Sequence, residues 1–341
     1  MGEFYSVSYH TKMIAASMNA RAEKMNMPAW SSWKDGRAPD GWFRLVGGKL
    51  PEDAASFFRE FGFLVVENAL DGAEVQELRD EALAICKEER GVMPGATPGM
   101  SGETDEETMR RYLCIHFPHK VSEIMERYLS HPSMVESLTG IIGPNVKCMQ
   151  SMLFIKAAGK PGQAWHQDEI YIPTRDRSLT GGWIAMDDAT VENGCLWVIP
   201  GSQKPGVLYY QAWHGDSRFD CALEAKNFPY ASDDAVPVEV RAGSIVFFNG
   251  YLLHRSLPNY ATSGFRRCLV NHYMSAESLL PWFGGEHPDA VSIADHRDIT
   301  MIAGTDPYAW KGTELRHGPH VRASGEGGCG NLKYNEDAVK S

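Results

Sequence analysis

No two cysteines in this chain are spaced as C-x-x-C, and the seven present, at 86, 114, 148, 195, 221, 268 and 329, are an odd number scattered along the length. That pattern argues against a disulfide framework and against a zinc knuckle, and makes a reducing, cytoplasmic setting the expectation. Also missing is any uninterrupted apolar run long enough to span a bilayer, and Met1-Gly-Glu-Phe-Tyr-Ser has no basic region leading into an apolar one. Neither a membrane span nor a secretory leader is therefore expected. Lys and Arg never cluster, and 33 of them against 44 Asp and Glu leave a formal charge of −11. Such a balance argues against nucleic acid or an anionic membrane surface as the main partner and leaves a small-molecule substrate. Repeats and low-complexity tracts are absent too. What remains is 341 residues, 43% of them hydrophobic, enough for a full core in one large β domain.

Three regions follow from the pattern. Residues 1–50 hold Trp30, Trp33 and Trp42 among Pro, Gly and Lys, an aromatic-rich extension expected to pack on the core or at a subunit contact of a homo-oligomer, since exposing three indoles is costly. Within 51–285, Pro51–Glu60 reads as a short helix, Phe61–Glu67 as a strand, and Asp71 to about Glu89 as an amphipathic helix capped by Asp71. Gly91–Glu107, rich in Pro, Gly and acid, reads as a surface loop that by position can lie over a pocket. His116 and His119 flank Phe117-Pro118, and the proline argues against a helix joining them as ligands, so they read as structural. Val121–Leu129 and Pro132–Leu138 read as helices. From Asn145 the period becomes that of strands: 146–155, 164–173, 182–188, 195–199, 206–210, 236–240, 244–248 and 266–274. About eight short strands at this spacing imply a mainly β fold with flanking helices, a double-stranded β-helix or cupin-like jelly roll whose mouth can hold a metal. Residues 286–341 read as a C-terminal extension and tail.

The candidate chemistry sits in Trp165-His166-Gln167-Asp168 and in Gly250-Tyr-Leu-Leu-His254-Arg-Ser256. Side chains two apart on a strand share a face, so His166 and Asp168 point the same way and Gln167 the other. A second imidazole from His254 would complete two neutral nitrogens and one hard oxygen on one face of an octahedron, the ligand set of non-haem Fe(II) oxygenases. A second H-x-D, His214-Gly-Asp216, has a glycine at its centre and lies in the polar stretch Gln211–Asp220, which reads as a loop and as a chance match. After His254, the turn formers Leu257–Gly264 lead into a strand from Phe265, a hairpin expected to bring Arg266 back beside His254 on the neighbouring strand. A guanidinium there suits a dicarboxylate cosubstrate, one end on the metal and the other paired to Arg.

Trp165–Asp168, Trp183-Ile-Ala-Met-Asp187, Asn193-Gly-Cys-Leu196, Val198-Ile-Pro-Gly-Ser202, His254-x-Ser256 and Gly264-Phe-Arg266 together resemble the phytanoyl-CoA dioxygenase family of Fe(II)- and 2-oxoglutarate-dependent oxygenases, from about Leu50 to Met274. The resemblance implies His166, Asp168 and His254 as iron ligands and Arg266, with Ser256 beside it, as partner of the distal carboxylate of 2-oxoglutarate. It further points to Met149, Gln150 and Met152 on the strand before the first ligand, and to Trp183 as a pocket wall. With O2 as the third reactant, the implied reaction is hydroxylation, or a related oxidation, of an unactivated C–H bond. The presence of Asp168, which halide-transferring relatives replace by a small residue, favours this over halogenation. Substrate identity is left open: the net charge disfavours a polyanionic thioester, while Lys156, Lys160, Arg175 and Arg177 near the motif keep an anionic substrate in play. Two other readings stand beside it, a cupin-like oxygenase without 2-oxoglutarate, which would not need Arg266, and a non-catalytic binding jelly roll.

Overall fold

The structure, a computed structural model, describes residues 42–97, 99–220, 223–279 and 297–322. Trp30 and Trp33, most of the 1–50 extension, Trp282-Phe283 and the tail beyond 322 lie outside the described residues. Trp42 is buried, its ring edge-on to Phe63 at 5.9 Å between centroids.

Among the described residues, five helices precede the main run of strands: α1 (Glu52–Phe61), α2 (Gly72–Cys86), α3 (Asp105–Arg110), α4 (Glu123–Leu129) and α5 (Pro132–Ile141). Asp71 caps α2 as expected, its carboxylate accepting from the N–H groups of Ala73 and Glu74 while Glu74 accepts from the Asp71 N–H. Three backbone donors are thus satisfied, the Asp71 and Glu74 pair reciprocally, which sets where the helix starts. The segment expected as loop up to Glu107 contains the start of α3. There Thr104 and Glu107 form a second capping box, so a run of three acidic residues becomes the first turn of a helix.

Fourteen strands build the rest of the described residues. β1 (Phe63–Val66), β2 (Cys114–His116), β3 (Val146–Ala157), β5 (Thr180–Ala185), β10 (Ile245–Asn249), β12 (Phe265–Ser275) and β14 (His320–Arg322) form one antiparallel sheet in the order β1-β10-β5-β12-β3-β2-β14, with β13 (Thr300–Ala303) also pairing β3. The second sheet, β4 (Gln163–His166), β11 (His254–Ser256), β6 (Leu196–Val198) and β9 (Val236–Val238), runs β4-β11-β6-β9. A separate hairpin pairs β7 (Gln211–Trp213) with β8 (Leu223–Ala225). Strands shuttling between two antiparallel sheets make this the double-stranded β-helix that the strand spacing implied.

Four expectations are corrected, the first being that residues 206–210, expected as a strand, form none. The strand expected over 164–173 ends at His166: Gln167 is still extended, but Asp168–Ile170 is a single 3-10 turn. The polar stretch from Gln211 begins with a strand, β7, not with loop. Arg266 does not lie on a strand neighbouring His254, because β11 belongs to the small sheet and β12 to the large one. The turn-rich link 257–264 crosses between sheets instead of closing a hairpin, and turn formers alone cannot distinguish the two. Two further strands that the fading pattern after Met274 did not signal, β13 and β14, join the large sheet.

Glycines 181 and 182 let this layering close around the site. A Cβ at Gly182 would lie 2.9 Å from the sulfur of Met134 on α5 and from the Tyr273 ring. At Gly181, on the other face, it would lie 2.4 Å from the ring of Phe248, which packs against His254 at 4.7 Å. Only hydrogen fits on either side.

Candidate metal centre and cosubstrate site

His166 ends β4, His254 begins β11 beside it, and their Cα atoms are register partners, which sets the imidazoles side by side with centroids 4.1 Å apart. Each ring's Nδ1 is held by a carbonyl two residues upstream, Ala164 O at 2.7 Å and Leu252 O at 2.9 Å. A carbonyl only accepts, so Nδ1 carries the hydrogen and Nε2 presents a lone pair. Both Nε2 atoms lie 3.6 Å from Asp168 Oδ1. The three ligand atoms fall within 4.8 Å of one another, the one such group of three or more His, Cys, Asp or Glu among the described residues.

Three buried acceptors converging with no hydrogen between them repel unless a cation lies among them. Burial, and then the neighbouring His254, push the His166 imidazole down to about 4, so His166 supplies no proton near neutrality. Burial alone would raise the Asp168 carboxyl, but His254 and the hydrogen bond from His272 outweigh it and hold it well below the usual carboxylate range. An anionic oxygen and two neutral nitrogens are what a divalent iron requires, and the site fits it.

Around this cluster each sequence-predicted residue has a place. Gln167, fully buried, turns its amide away from the ligands on either side of it. It donates to Val207 O at 2.9 Å and Tyr251 O at 2.8 Å and accepts from the Tyr209 N–H at 2.9 Å, fastening the 203–235 insert to the turn before His254. Arg266 is buried, its guanidinium 5.5 Å from the Trp183 ring centroid, with one N–H donated to Cys268 Sγ and no partner for Nε among the described residues. Directly opposite it on β3 is Lys156. The Lys156 ammonium donates to Ser256 Oγ at 2.9 Å, Leu257 O at 2.7 Å and Gly194 O at 3.2 Å. Burial, and then the Arg266 charge, push this ammonium well below its ordinary range. Ser256 Oγ also accepts from the Gln163 N–H at 3.2 Å, which leaves its own hydrogen to donate. Lys156 is thus part of the Arg266 site and not a charge at the pocket mouth, whereas Arg175 and Arg177 are exposed.

Strand register places Met152, Val270 and Trp183 in one row across β3, β12 and β5, and Gln150, His272 and Gly181 in the next. Met149 is the extra residue of a β-bulge opposite His272 and Tyr273, and it packs with Ile172, Leu179 and Met274 in a small separate cluster. Of the second H-x-D, Asp216 is taken by Arg218 in a two-pronged ion pair. His116 stacks face to face on His320 at 4.7 Å, and His119 is held by Ser151 Oγ. The described cysteines, 86, 114, 148, 195 and 268, are buried.

Sequence reasoning passed over Lys156 as a site residue and passed over His272 altogether. His272 Nε2 lies 3.1 Å from Asp168 Oδ2, reaching across from the large sheet. The one available signal was its position six residues after Arg266, an even spacing that keeps both on the inner face of β12.

The profile of the phytanoyl-CoA dioxygenase (PhyH) family matches residues 58–268, more than half of the chain. The chain belongs to the phytanoyl-CoA dioxygenase family. It is 30% identical over 255 residues to the peroxisomal phytanoyl-CoA dioxygenase of Homo sapiens, covering 69% of this chain and 71% of that one. To the phytanoyl-CoA dioxygenase of Arabidopsis thaliana it is 28% identical over 249 residues, covering 64% and 86%. Among solved structures the fold is shared with the non-heme monooxygenase ThoJ, at TM-score 0.57 and 22% identity over 74% of this chain and 85% of that one. It is shared also with the epimerase SnoN in complex with Fe3+, alpha ketoglutarate and nogalamycin RO, at TM-score 0.54 and 20% identity over 74% and 98%. Membership makes the chain an enzyme, a 2-oxoglutarate-dependent oxygenase of the non-haem iron class. No helix among the described residues is long and apolar enough to cross a membrane.

Proposed function

We propose that the chain oxidises an unactivated C–H bond of a small-molecule metabolite, hydroxylation being the simplest outcome, with Fe(II) held by His166, Asp168 and His254 and 2-oxoglutarate anchored by Arg266 and Ser256. The observation that carries the reading is paired: three converging acceptors that call for a cation, and a buried guanidinium and ammonium in facing register that call for an anion. A five-carbon diacid satisfies both at once.

With iron bound, the chemistry supplied is oxidation of 2-oxoglutarate to succinate and carbon dioxide, one oxygen atom of O2 entering succinate and the other the substrate. Everything else is done by the chain. Ala164 O and Leu252 O hold the two imidazoles in the tautomer that offers Nε2. Arg266 and the Ser256 hydroxyl orient the distal carboxylate, and the Trp183 ring under the guanidinium keeps water from that end. Met152 and Val270 supply apolar wall beside Trp183. His166, His254 and Arg266 are all nearly inaccessible, so their charges and dipoles act in a low-dielectric pocket.

The test is an anaerobic titration of purified protein with Fe(II) and 2-oxoglutarate, followed for the visible charge-transfer band of the chelate, and then a metabolite panel scored for substrate-stimulated succinate. Succinate formed only with ferrous iron supports the reading. Iron binding with neither band nor succinate would favour the cupin-like oxygenase that does without 2-oxoglutarate.

A further inference from the structure

Asp168 uses its two oxygens differently. Oδ1 faces both imidazole Nε2 atoms at 3.6 Å, and Oδ2 faces His272 Nε2 at 3.1 Å. The His272 ring is 5% exposed, so the contact is not one that water replaces freely. A carboxylate oxygen only accepts, so the hydrogen of this bond is on Nε2, and in the neutral ring Nδ1 is left as an acceptor with no partner among the described residues. A buried imidazole that leaves one nitrogen unsatisfied is retained at a cost, and the bond it does make is to a candidate metal ligand.

We infer that His272 is a positioning residue that holds Asp168 to one ligand atom, keeping Oδ2 off the metal; the inference rests on the metal site proposed above. A carboxylate with both oxygens free can close on a cation through both and take two of its positions. Two histidines and a one-point aspartate use three positions of six, and a chelating 2-oxoglutarate uses two more. A two-point Asp168 would compete for the position the reaction needs. Donation from His272 ties Oδ2 to a different sheet from the one that carries His166 and His254, so the carboxylate cannot rotate without breaking a buried hydrogen bond. The backbone supports this placement. The register shift between His272 and Tyr273 occurs where β3 carries its extra residue, Met149, so the ladder is interrupted next to the residue that reaches Asp168 and resumes at Tyr273 opposite Cys148.

The experiment compares wild-type protein with His272→Leu, which removes the donor at similar volume, and His272→Gln, whose amide places an N–H near the position of Nε2. Each is loaded with Co(II), whose d–d absorption reports coordination number, and 2-oxoglutarate binding is measured by calorimetry without turnover. We expect His272→Leu to weaken 2-oxoglutarate binding roughly 10–100-fold with an altered Co(II) spectrum, and His272→Gln to restore both. A Leu variant with the wild-type spectrum and affinity overturns the inference. Should Leu fail to fold by near-ultraviolet circular dichroism, Gln decides: recovery within about threefold of wild type supports the inference, and a folded Gln variant that has lost 2-oxoglutarate binding overturns it. Wild-type protein that takes up neither Co(II) nor 2-oxoglutarate refutes the metal site itself, a result distinct from either.

Discussion

Lys156 and Arg266 stand opposite each other on paired strands, both buried, and neither forms an ion pair with a carboxylate among the described residues. Two facing cations in a low-dielectric interior are unfavourable by themselves, and a bound diacid relieves them. Replacing Arg266 by Ala is expected to weaken 2-oxoglutarate binding by roughly 10–100-fold, the worth of one or two charge-assisted hydrogen bonds, while leaving metal affinity within a few fold. Calorimetry with each ligand in turn checks this, and equal loss of both would point to a folding defect instead.

The same pair has a stability signature. 2-Oxoglutarate should raise the melting temperature of the wild type in proportion to the logarithm of its concentration above Kd, and the rise should largely disappear in Arg266→Ala. Lys156→Met, which removes one of the facing charges but leaves Leu257 O, Gly194 O and Ser256 Oγ without its hydrogen bonds, should lower stability without ligand and blunt the ligand-induced rise. Differential scanning fluorimetry across a 2-oxoglutarate series separates the two effects.

Gln167 is predicted to matter through the insert and not through the metal. The amide of this buried side chain makes three part-buried hydrogen bonds to Val207, Tyr209 and Tyr251, so Gln167→Ala leaves two carbonyls and one N–H without their partner. A loss of roughly 2–4 kcal/mol is expected, since each buried polar group left unpaired costs about 1–3 kcal/mol and some find water. Hydrogen exchange should show the loss of protection concentrated around residues 207–210. Uniform deprotection of the small sheet would contradict a local role.

A pH dependence is predicted at Glu239, which is buried and whose carboxyl burial pushes up to about 7, with the Val191 N–H partly opposing the rise. The folded state then binds the proton more tightly than the unfolded chain, so this residue's contribution is fully favourable below the unfolded value of 4.5 and is lost as pH rises towards 7. Glu239→Gln keeps the acceptor for Val191 and removes the titration. Its stability advantage over wild type should therefore grow by roughly 2–3 kcal/mol between pH 4.5 and 8, as measured by urea unfolding. A difference that is flat with pH would mean the carboxyl titrates alike in both states.

What the linear chain determined is local in origin. Strand-length apolar runs broken by Gly, Pro and Asn implied the β architecture, Asp71 with Glu74 set the start of α2, and His166-Gln-Asp168 carried its own alternation, since the backbone stays extended through Gln167 before it turns. These follow from side-chain period and capping chemistry, which need only neighbours. Which sheet a strand joins is decided by packing between residues far apart, and there the turn-rich link 257–264 could not say that Arg266 would cross to the large sheet and face Lys156. Nor could sequence show that β13 and β14 would extend that sheet, because strands of three or four residues carry too little periodicity to be heard above the loops around them. His272 belongs with these: an ordinary histidine in an apolar strand acquires a role only when the two sheets close and bring its Nε2 to Asp168, a contact between residues 104 positions apart.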